Sequence, residues 1–187
     1  MSENRNEGRL VSRREILLAA GVASIATVFP RELLAAPSDT LSPFLGSFRH
    51  AGGDKEREAR DKAIDAVVDE MNIFVRGIAR DKLKSSNAIP AALKISADAS
   101  ALTIALDNRV YTAPLDGRSV KVTGITGDKL DLRYRVTEGR IEQNFKGDER
   151  GRVNTYSIEG DKVVMQVRIY ASQLPKDVKY KLTYKRA

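Results

Sequence analysis

Apolar and polar residues alternate along the last third of this chain, from Lys129 to the carboxyl terminus. Side chains of a strand point to opposite faces in turn, so each alternating run predicts a strand with one apolar and one solvated face. Turns rich in Gly and Asp, of the kind that hairpins use, separate the runs. The pattern therefore predicts an antiparallel meander. Its strands are expected at 129–137, 140–146, 151–158, 162–170 and 178–186.

Shorter strand-like segments precede this meander. Asp, Asn and Gly residues punctuate the segments between Ala92 and Asp128 and mark turns. The strands expected here are 93–97, 102–106, 109–113 and 119–123, and one more is expected earlier, at 44–49. The sequence thus predicts ten strands, with a helical insertion between the first and the second.

That insertion is the one clearly helical region, at residues 54–83. Apolar residues recur there at spacings of three and four and form a stripe opposite a charged face. Asp54 is expected to cap the first turn, and Gly77 to split the segment into two helices. Three interpretations stay open: a layer of the core, a lid, or an element at a membrane surface. Acids among the bases of the polar face argue against an anionic membrane surface.

The first 36 residues have the pattern of an export signal. The pair Arg13-Arg14 precedes an uncharged run from Ile16 to Phe29, and Ala35-Ala36 follows as a cleavage region. This order resembles the twin-arginine signal of bacteria, and the run is shorter than the ~20 residues that a membrane-spanning helix needs. We therefore predict a periplasmic or secreted protein. The alternatives are an uncleaved anchor and a short buried or membrane helix, whereas the absence of Cys excludes a lipoprotein anchor.

Residues 37–187 form a single predicted domain, because a chain of this length is enough for one core. The domain carries 27 lysines and arginines against 21 aspartates and glutamates, a net charge of +6. Such a balance is compatible with anionic partners, such as lipid head groups or nucleic acid. We prefer a solvated exterior, because Lys179, Lys181 and Lys185 lie on the wet face of their strand, where lysine keeps sheets soluble. We predict a monomer that binds no nucleic acid.

Four short motifs occur in order between Phe44 and the end of the chain. They are Phe44-Leu45-Gly46-Ser47-Phe48-Arg49, Thr137-Glu138-Gly139-Arg140, Gly160-Asp161-Lys162-Val163-Val164 and the ending Tyr184-Lys185-Arg186-Ala187. In this order they resemble the F-x-G-x-W-K opening, the L-D-G-G and D-D-K-L-V turns and the Y-E-R-A ending of the fatty-acid-binding proteins, which belong to the calycin group. The resemblance implies a mainly β fold: a ten-stranded antiparallel up-and-down β-barrel with a helical lid between strands 1 and 2.

The chain departs from this family where a charged ligand end would bind. The resemblance implies two interior arginines and a tyrosine around a fatty-acid carboxylate, the last pair written R-x-Y on the final strand. Here that pattern reads Leu182-Thr183-Tyr184, and the other arginine position falls at Tyr156. A buried carboxylate would then lack its charge partner, which is costly. We therefore expect a neutral ligand, or a larger one whose head group stays in water.

The inward face of the predicted barrel provides the candidate ligand site. Carrying the alternation around from the last strand predicts a lumen whose four tyrosines supply hydroxyls among aliphatic side chains, as in many small-molecule sites. The candidate ligand-binding residues are Leu130, Leu132, Tyr134, Gln143, Phe145, Tyr156, Met165, Val167, Tyr180, Leu182 and Tyr184, and the portal residues are Met71, Phe74, Val75 and Ile78. An equal alternative is a barrel filled by its own side chains, as small barrels often are.

Catalytic chemistry finds little support in the sequence. No G-x-S-x-G, G-x-x-x-x-G-K-[ST] or H-E-x-x-H motif occurs, and the single histidine, His50, is expected at the surface. We predict no catalytic residue, cofactor or metal, and a non-enzymatic exported carrier of a lipid or other small apolar ligand that touches membranes at most transiently. The alternatives are an envelope structural or protein-interaction domain with a filled barrel and, more distantly, an enzyme acting on an apolar substrate in the cavity.

Overall fold

Ten antiparallel strands form one sheet that curves into a nearly closed barrel. The structure is a computed structural model, and it describes residues 37–187. Within that range the chain begins with the short helix α1 (Pro37–Leu41) and a 3-10 helix (Ser42–Phe44). The predicted export signal at 1–36 lies outside the described residues.

The strands follow one another up and down around the barrel. They are β1 (Gly46–His50), β2 (Ala92–Ala97), β3 (Ala101–Leu106), β4 (Arg109–Pro114), β5 (Val120–Thr123), β6 (Lys129–Thr137), β7 (Arg140–Lys146), β8 (Arg150–Glu159), β9 (Lys162–Ala171) and β10 (Val178–Arg186). Their order in the sheet is β4-β3-β2-β1-β10-β9-β8-β7-β6-β5, so β1 pairs with both β2 and β10, and β4 and β5 are the two ends. The predicted ten-stranded up-and-down barrel is confirmed.

Apolar residues from neighbouring strands meet on the inner face. Tyr156 of β8 pairs with Met165 of β9, Met165 pairs with Leu182 of β10, and all three are fully buried. A slip of one residue would turn each apolar face to solvent, so burial determines the register. Gly139 and Gly160 occupy the β6–β7 and β8–β9 turns with φ angles of 68° and 63°, a left-handed conformation that glycine adopts without strain.

The helical insertion consists of two helices, α2 (Gly53–Val68) and α3 (Ile73–Ser86). The break lies before α3 and not at Gly77, which is inside α3, so the predicted position of the split is wrong. Asn72 caps α3, because its side chain accepts a hydrogen bond from the Phe74 backbone N–H at 3.0 Å. The predicted Asp54 cap is also wrong, since Gly52 holds the cap position of α2 without a side-chain hydrogen bond.

The two helices differ in how they meet the barrel. α2 buries Ile64, Val67 and Val68 in the barrel core, whereas α3 has no fully buried residue. Among residues 37–187, no helix is long and apolar enough to cross a membrane. α2 therefore anchors the insertion, and α3 lies on top as its less buried half.

Ion pairs hold α3 against α2. The Arg80 guanidinium contacts the Asp65 carboxylate at 2.8 Å and the Asp69 carboxylate at 2.9 Å, and Lys84 contacts Asp65 at 3.3 Å. Burial by itself raises the pKa of Asp65, but the hydrogen bonds from Arg80 and Lys84 outweigh it and hold that pKa below its ordinary value. The pairs are partly solvated, so each adds only modestly to stability.

Candidate functional site

A cavity of about 590 Å³ lies at the end of the barrel that carries α3. Its wall comes from α3, the segment that leads into β2, the β3–β4 and β5–β6 turns, the start of β8 and the connection from β9 to β10. The main apolar side chains of the wall are Leu83, Leu106, Tyr111, Leu130, Phe145 and Ile169. We call this space the mouth cavity.

Few of the predicted ligand-binding residues reach the mouth cavity. Leu130 and Phe145 line it. The other nine are buried without lining it: Leu132, Tyr134, Gln143, Tyr156, Met165, Val167, Tyr180, Leu182 and Tyr184. Their side chains point inward as the alternation predicted, and their role as ligand contacts stays a prediction.

A hydrogen-bonded network in the interior includes three of these nine residues, Tyr134, Gln143 and Tyr156. Gln143 lies at its centre: its Oε1 accepts from the Tyr156 hydroxyl at 2.8 Å and from Asn154 Nδ2 at 2.9 Å, and its Nε2 donates to the Tyr134 hydroxyl at 3.1 Å. The Tyr134 hydroxyl donates in turn to the Tyr111 carbonyl oxygen at 2.9 Å. These hydroxyls therefore already have protein partners, as buried polar groups require. We call this set the floor network.

Burial also keeps the interior tyrosines neutral. It raises the pKa of Tyr134, Tyr156 and Tyr184 above the ordinary tyrosine value, because a phenolate would lose its hydration. The Tyr184 hydroxyl donates to the Pro90 carbonyl oxygen at 3.1 Å. The interior therefore supplies neutral donors and no anion at ordinary pH.

Arg152 connects the floor network to the mouth cavity. Its Nε donates to Asn154 Oδ1 at 2.7 Å, its Nη1 donates to Asn87 Oδ1 at 3.0 Å, and the side chain lines the cavity. The sequence reasoning missed this residue because it looked for an arginine only at the family positions, Tyr156 and Leu182. The signal was present, since Arg152 lies two and four residues before Asn154 and Tyr156 and so shares their inward face.

The charged residues of the mouth cavity are mostly basic. Its wall contains Lys82, Arg109, Arg150 and Arg152 against the two acids Asp107 and Asp128. Arg150 and Asp128 form an ion pair with each other. The wall of the mouth cavity therefore combines apolar side chains with a net positive charge.

Of the four predicted portal residues, the one in the turn between α2 and α3 lines the mouth cavity, and the three on α3 do not. Met71 lines the mouth cavity. Phe74, Val75 and Ile78 lie on the outer side of α3, where 88%, 43% and 74% of their surfaces are exposed, and they do not line it. Helical periodicity placed these side chains on one face, but that face points away from the cavity.

His50 is not a surface residue, so that expectation was wrong. Its side chain is only 9% exposed, and its Nε2 lies 2.9 Å from Glu56 Oε2. The Glu56 carboxylate also accepts from the Thr183 backbone N–H at 2.8 Å and from its hydroxyl at 2.7 Å. Glu56 therefore joins α2 to the last residue of β1 and to β10. Within residues 37–187, no group of His, Asp and Glu side chains is arranged to hold a metal ion.

Comparisons with known proteins find relatives in structure only. No family model and no curated protein matches the chain. The crystal structure of apo lipid binding protein 8 from Caenorhabditis elegans matches with a TM-score of 0.52 and 12% identity, over 79% of this chain and 97% of that chain. The fluorescent protein UnaG matches with a TM-score of 0.50 and 16% identity, over 79% and 99%. A secretary abundant heat soluble (SAHS) protein from Ramazzottius varieornatus matches with a TM-score of 0.50 and 12% identity, over 78% and 96%. At these identities the similarity concerns the fold alone, and that fold is the fatty-acid-binding-protein type of barrel that the sequence motifs implied.

Proposed function

We propose that this protein is a non-enzymatic carrier that binds a lipid or another small apolar ligand in the mouth cavity, with α3 as its lid. The observation that carries the proposal is the mouth cavity itself. Its volume of about 590 Å³ is typical of small-molecule sites, and its wall combines apolar side chains with charged and polar ones that could orient a ligand. The shared fold with a protein named for lipid binding supports the same function.

Export by the twin-arginine route to the periplasm or the cell exterior is part of the proposal. It is supported by the arginine pair and the apolar run near the amino terminus. A fusion of residues 1–36 to a reporter, with Arg13→Lys and Arg14→Lys as the control, tests it: the reporter should leave the cytoplasm only with both arginines present. Export of the control fusion would contradict this route.

Transient contact between α3 and a membrane surface is also part of the proposal. The exposed Phe74 and Ile78 lie on α3, a helix with four basic residues and one acid. Two of these basic residues, Arg80 and Lys84, already pair with acids at the end of α2, so Arg76 and Lys82 are the ones left to meet a membrane surface. Apolar side chains next to a basic helix face favour an anionic lipid surface.

Uptake of a neutral fluorescent probe, N-phenyl-1-naphthylamine, tests the carrier function. Leu130 is partly buried in the cavity wall, so Leu130→Lys places a charge there and should weaken probe binding by about tenfold or more. Val110→Lys is the matched control, because Val110 is 64% exposed on β4 and does not line the cavity. Equal binding by both variants and the wild-type protein would place the site elsewhere.

A structural or protein-interaction domain is the second candidate function. It is favoured by the floor network, since side chains and not open space occupy that part of the barrel. Native mass spectrometry of protein purified from its source cell distinguishes the two. A bound small molecule supports the carrier, and consistently ligand-free protein that takes up no probe supports the second candidate.

A further inference from the structure

We propose that the mouth cavity binds only short apolar groups, an alkyl tail of up to about ten carbons or a small ring system, and that the floor network sets this limit through Gln143. This inference rests on the proposed carrier function and deepens it by naming the ligand class. It gives Tyr134, Gln143 and Tyr156 a limiting role in place of direct contact with the ligand.

The first observation is that the mouth cavity ends abruptly on four neighbouring strands. The deepest residues that line it on β6, β7, β8 and β9 are Leu130, Phe145, Asn154 and Ile169. The next inward residue of each strand is buried and does not line the cavity: Leu132, Gln143, Tyr156 and Val167. The barrel interior beyond this level is therefore filled by side chains.

The depth of the cavity can be read along β8. Its lining residues run from Arg150 to Asn154, four steps of about 3.3 Å, so the cavity is roughly 13 Å deep along this strand. An extended alkyl chain with bonds of about 1.5 Å gains roughly 1.3 Å per carbon, so about ten carbons span that depth. A longer tail would have to pass the floor network or remain outside.

The second observation is that a row of hydrogen bonds closes the cavity from the interior side. Tyr134, Gln143 and Asn154 are cross-strand neighbours on β6, β7 and β8. Gln143 Nε2 donates to the Tyr134 hydroxyl at 3.1 Å, and Asn154 Nδ2 donates to Gln143 Oε1 at 2.9 Å. The Tyr134 hydroxyl extends the row to β4, since it donates to the Tyr111 carbonyl oxygen at 2.9 Å. The row thus connects four strands and bridges the two ends of the sheet.

The third observation is that breaking this row costs more than a methylene group gains. Each methylene buried in an apolar site tightens binding by about fourfold. A buried donor left without an acceptor weakens binding by about fivefold to more than a hundredfold. A tail that displaced Gln143 would orphan two such donors, the Tyr156 hydroxyl and Asn154 Nδ2, and would have to move fully buried side chains. A tail therefore stops at the row, and further carbons stay in solvent.

The wall above the row suits a short apolar group with a hydrated polar end. The rings of Tyr111 and Phe145 contact edge to face, with centroids 4.8 Å apart, and both line the cavity. Lys82, Asp107 and Arg150 also belong to the wall and are exposed, so a polar end beside them keeps its water. Both parts of the wall are satisfied without a ligand group in the barrel interior.

A series of n-alkyl-β-D-maltosides tests the proposal on the wild-type protein. The uncharged sugar stays in water, and only the tail changes, from hexyl through octyl, decyl and dodecyl to tetradecyl. Displacement of N-phenyl-1-naphthylamine, below each critical micelle concentration, measures the affinities. We expect the affinity to rise by about fifteenfold from each member to the next up to decyl, and then to stay within about twofold through tetradecyl.

Two variants with the same chemical change locate the limit. Gln143→Ala removes the centre of the row and opens space next to Asn154, so tetradecyl maltoside should bind about tenfold more tightly than to the wild type, with hexyl maltoside within about twofold. Gln166→Ala is the matched control, because Gln166 is exposed on the outer face of β9, and it should reproduce the wild-type series. Circular dichroism checks folding. If Gln143→Ala does not fold, Asn154→Ala removes the neighbouring member of the row and should extend the limit in the same direction.

The outcomes separate the two proposals. Affinity that keeps rising through tetradecyl in the wild-type protein overturns the limit and leaves the carrier function standing. A limit that stays at decyl in the folded row variant overturns the assignment to the floor network. Displacement by no maltoside, with the naphthylamine still bound, overturns the ligand class named here. Absence of naphthylamine binding as well overturns the carrier function too.

Discussion

Replacement of Gln143 by leucine tests whether the floor network is a structural element. Gln143→Leu removes the acceptor of two buried donors, the Tyr156 hydroxyl and Asn154 Nδ2, without opening a large hole. An unsatisfied buried donor costs about 1–3 kcal/mol. Tyr156 is fully enclosed and bears this cost in full, whereas Asn154 borders the mouth cavity and bears less. We expect the free energy of unfolding to fall by about 2–4 kcal/mol.

A double-mutant cycle distinguishes the loss of these bonds from a general packing defect. Tyr156→Phe alone should cost about 1 kcal/mol, since it removes one hydrogen bond. In the Gln143→Leu background the same change should cost nothing or stabilise, because it removes an orphaned hydroxyl. The expected coupling is therefore at least about 1 kcal/mol.

Equilibrium unfolding in urea, followed by circular dichroism and extrapolated linearly to water, measures all four proteins. Gln166→Leu is the control, because Gln166 is exposed on the outer face of β9 and its replacement should change the free energy of unfolding by less than about 0.5 kcal/mol. Additive effects of Gln143→Leu and Tyr156→Phe, or a cost of Gln143→Leu as small as that of the control, would refute the reasoning.

Three further predictions concern alkaline stability, the lid and the α2 contact. Burial raises the pKa of Tyr134, Tyr156 and Tyr184, so these side chains ionise at lower pH in the unfolded chain than in the folded protein. The free energy of unfolding should therefore be constant below pH ~10 and fall above it by up to about 1.4 kcal/mol per pH unit for each tyrosine. Complete tyrosinate absorbance in the still-folded protein would contradict this. Phe74→Ser should leave the free energy of unfolding within about 0.5 kcal/mol, because Phe74 is 88% exposed, and should reduce co-flotation with anionic vesicles, which unchanged flotation would disprove. Glu56→Ala should cost about 1–3 kcal/mol, because it removes the acceptor of a backbone N–H of β10; a thermal unfolding curve equal to that of the wild type would argue against it.

Alternation of apolar and polar residues located the strands well. Every observed strand begins and ends within two residues of its expected bounds, because most strands are long enough for a clear period of two and most of the turns between them contain Gly, Asp or Asn. The closure of these strands into a barrel was implied by the resemblance to the fatty-acid-binding proteins and not by the alternation itself. Local signals were sufficient for the strands and for the helical insertion.

The candidate site was harder to predict, because its contacts join distant parts of the chain. Asn87 and Arg152 are 65 residues apart, and Gln143 meets Tyr134 and Tyr156 only after three strands have paired. A period of two tells which face a side chain occupies, but it does not tell whether the side chains of that face leave space between them. The sequence pattern therefore could not tell that side chains fill the interior, or that the cavity lies at the end of the barrel under α3.

The position of the cavity follows from what occupies the interior. Gln143 and its tyrosine partners satisfy one another without a charge, so the floor network requires no ligand anion to be stable. An alkyl chain that entered past Asn154 would have to break bonds of this network, at about 1–3 kcal/mol for each donor left unsatisfied. A chain that stays in the mouth cavity avoids that cost. Ligand recognition in this barrel should therefore depend on residues under α3, and Gln143→Leu, which removes hydrogen bonds of the floor network, should lower the cost for an alkyl chain to enter past Asn154.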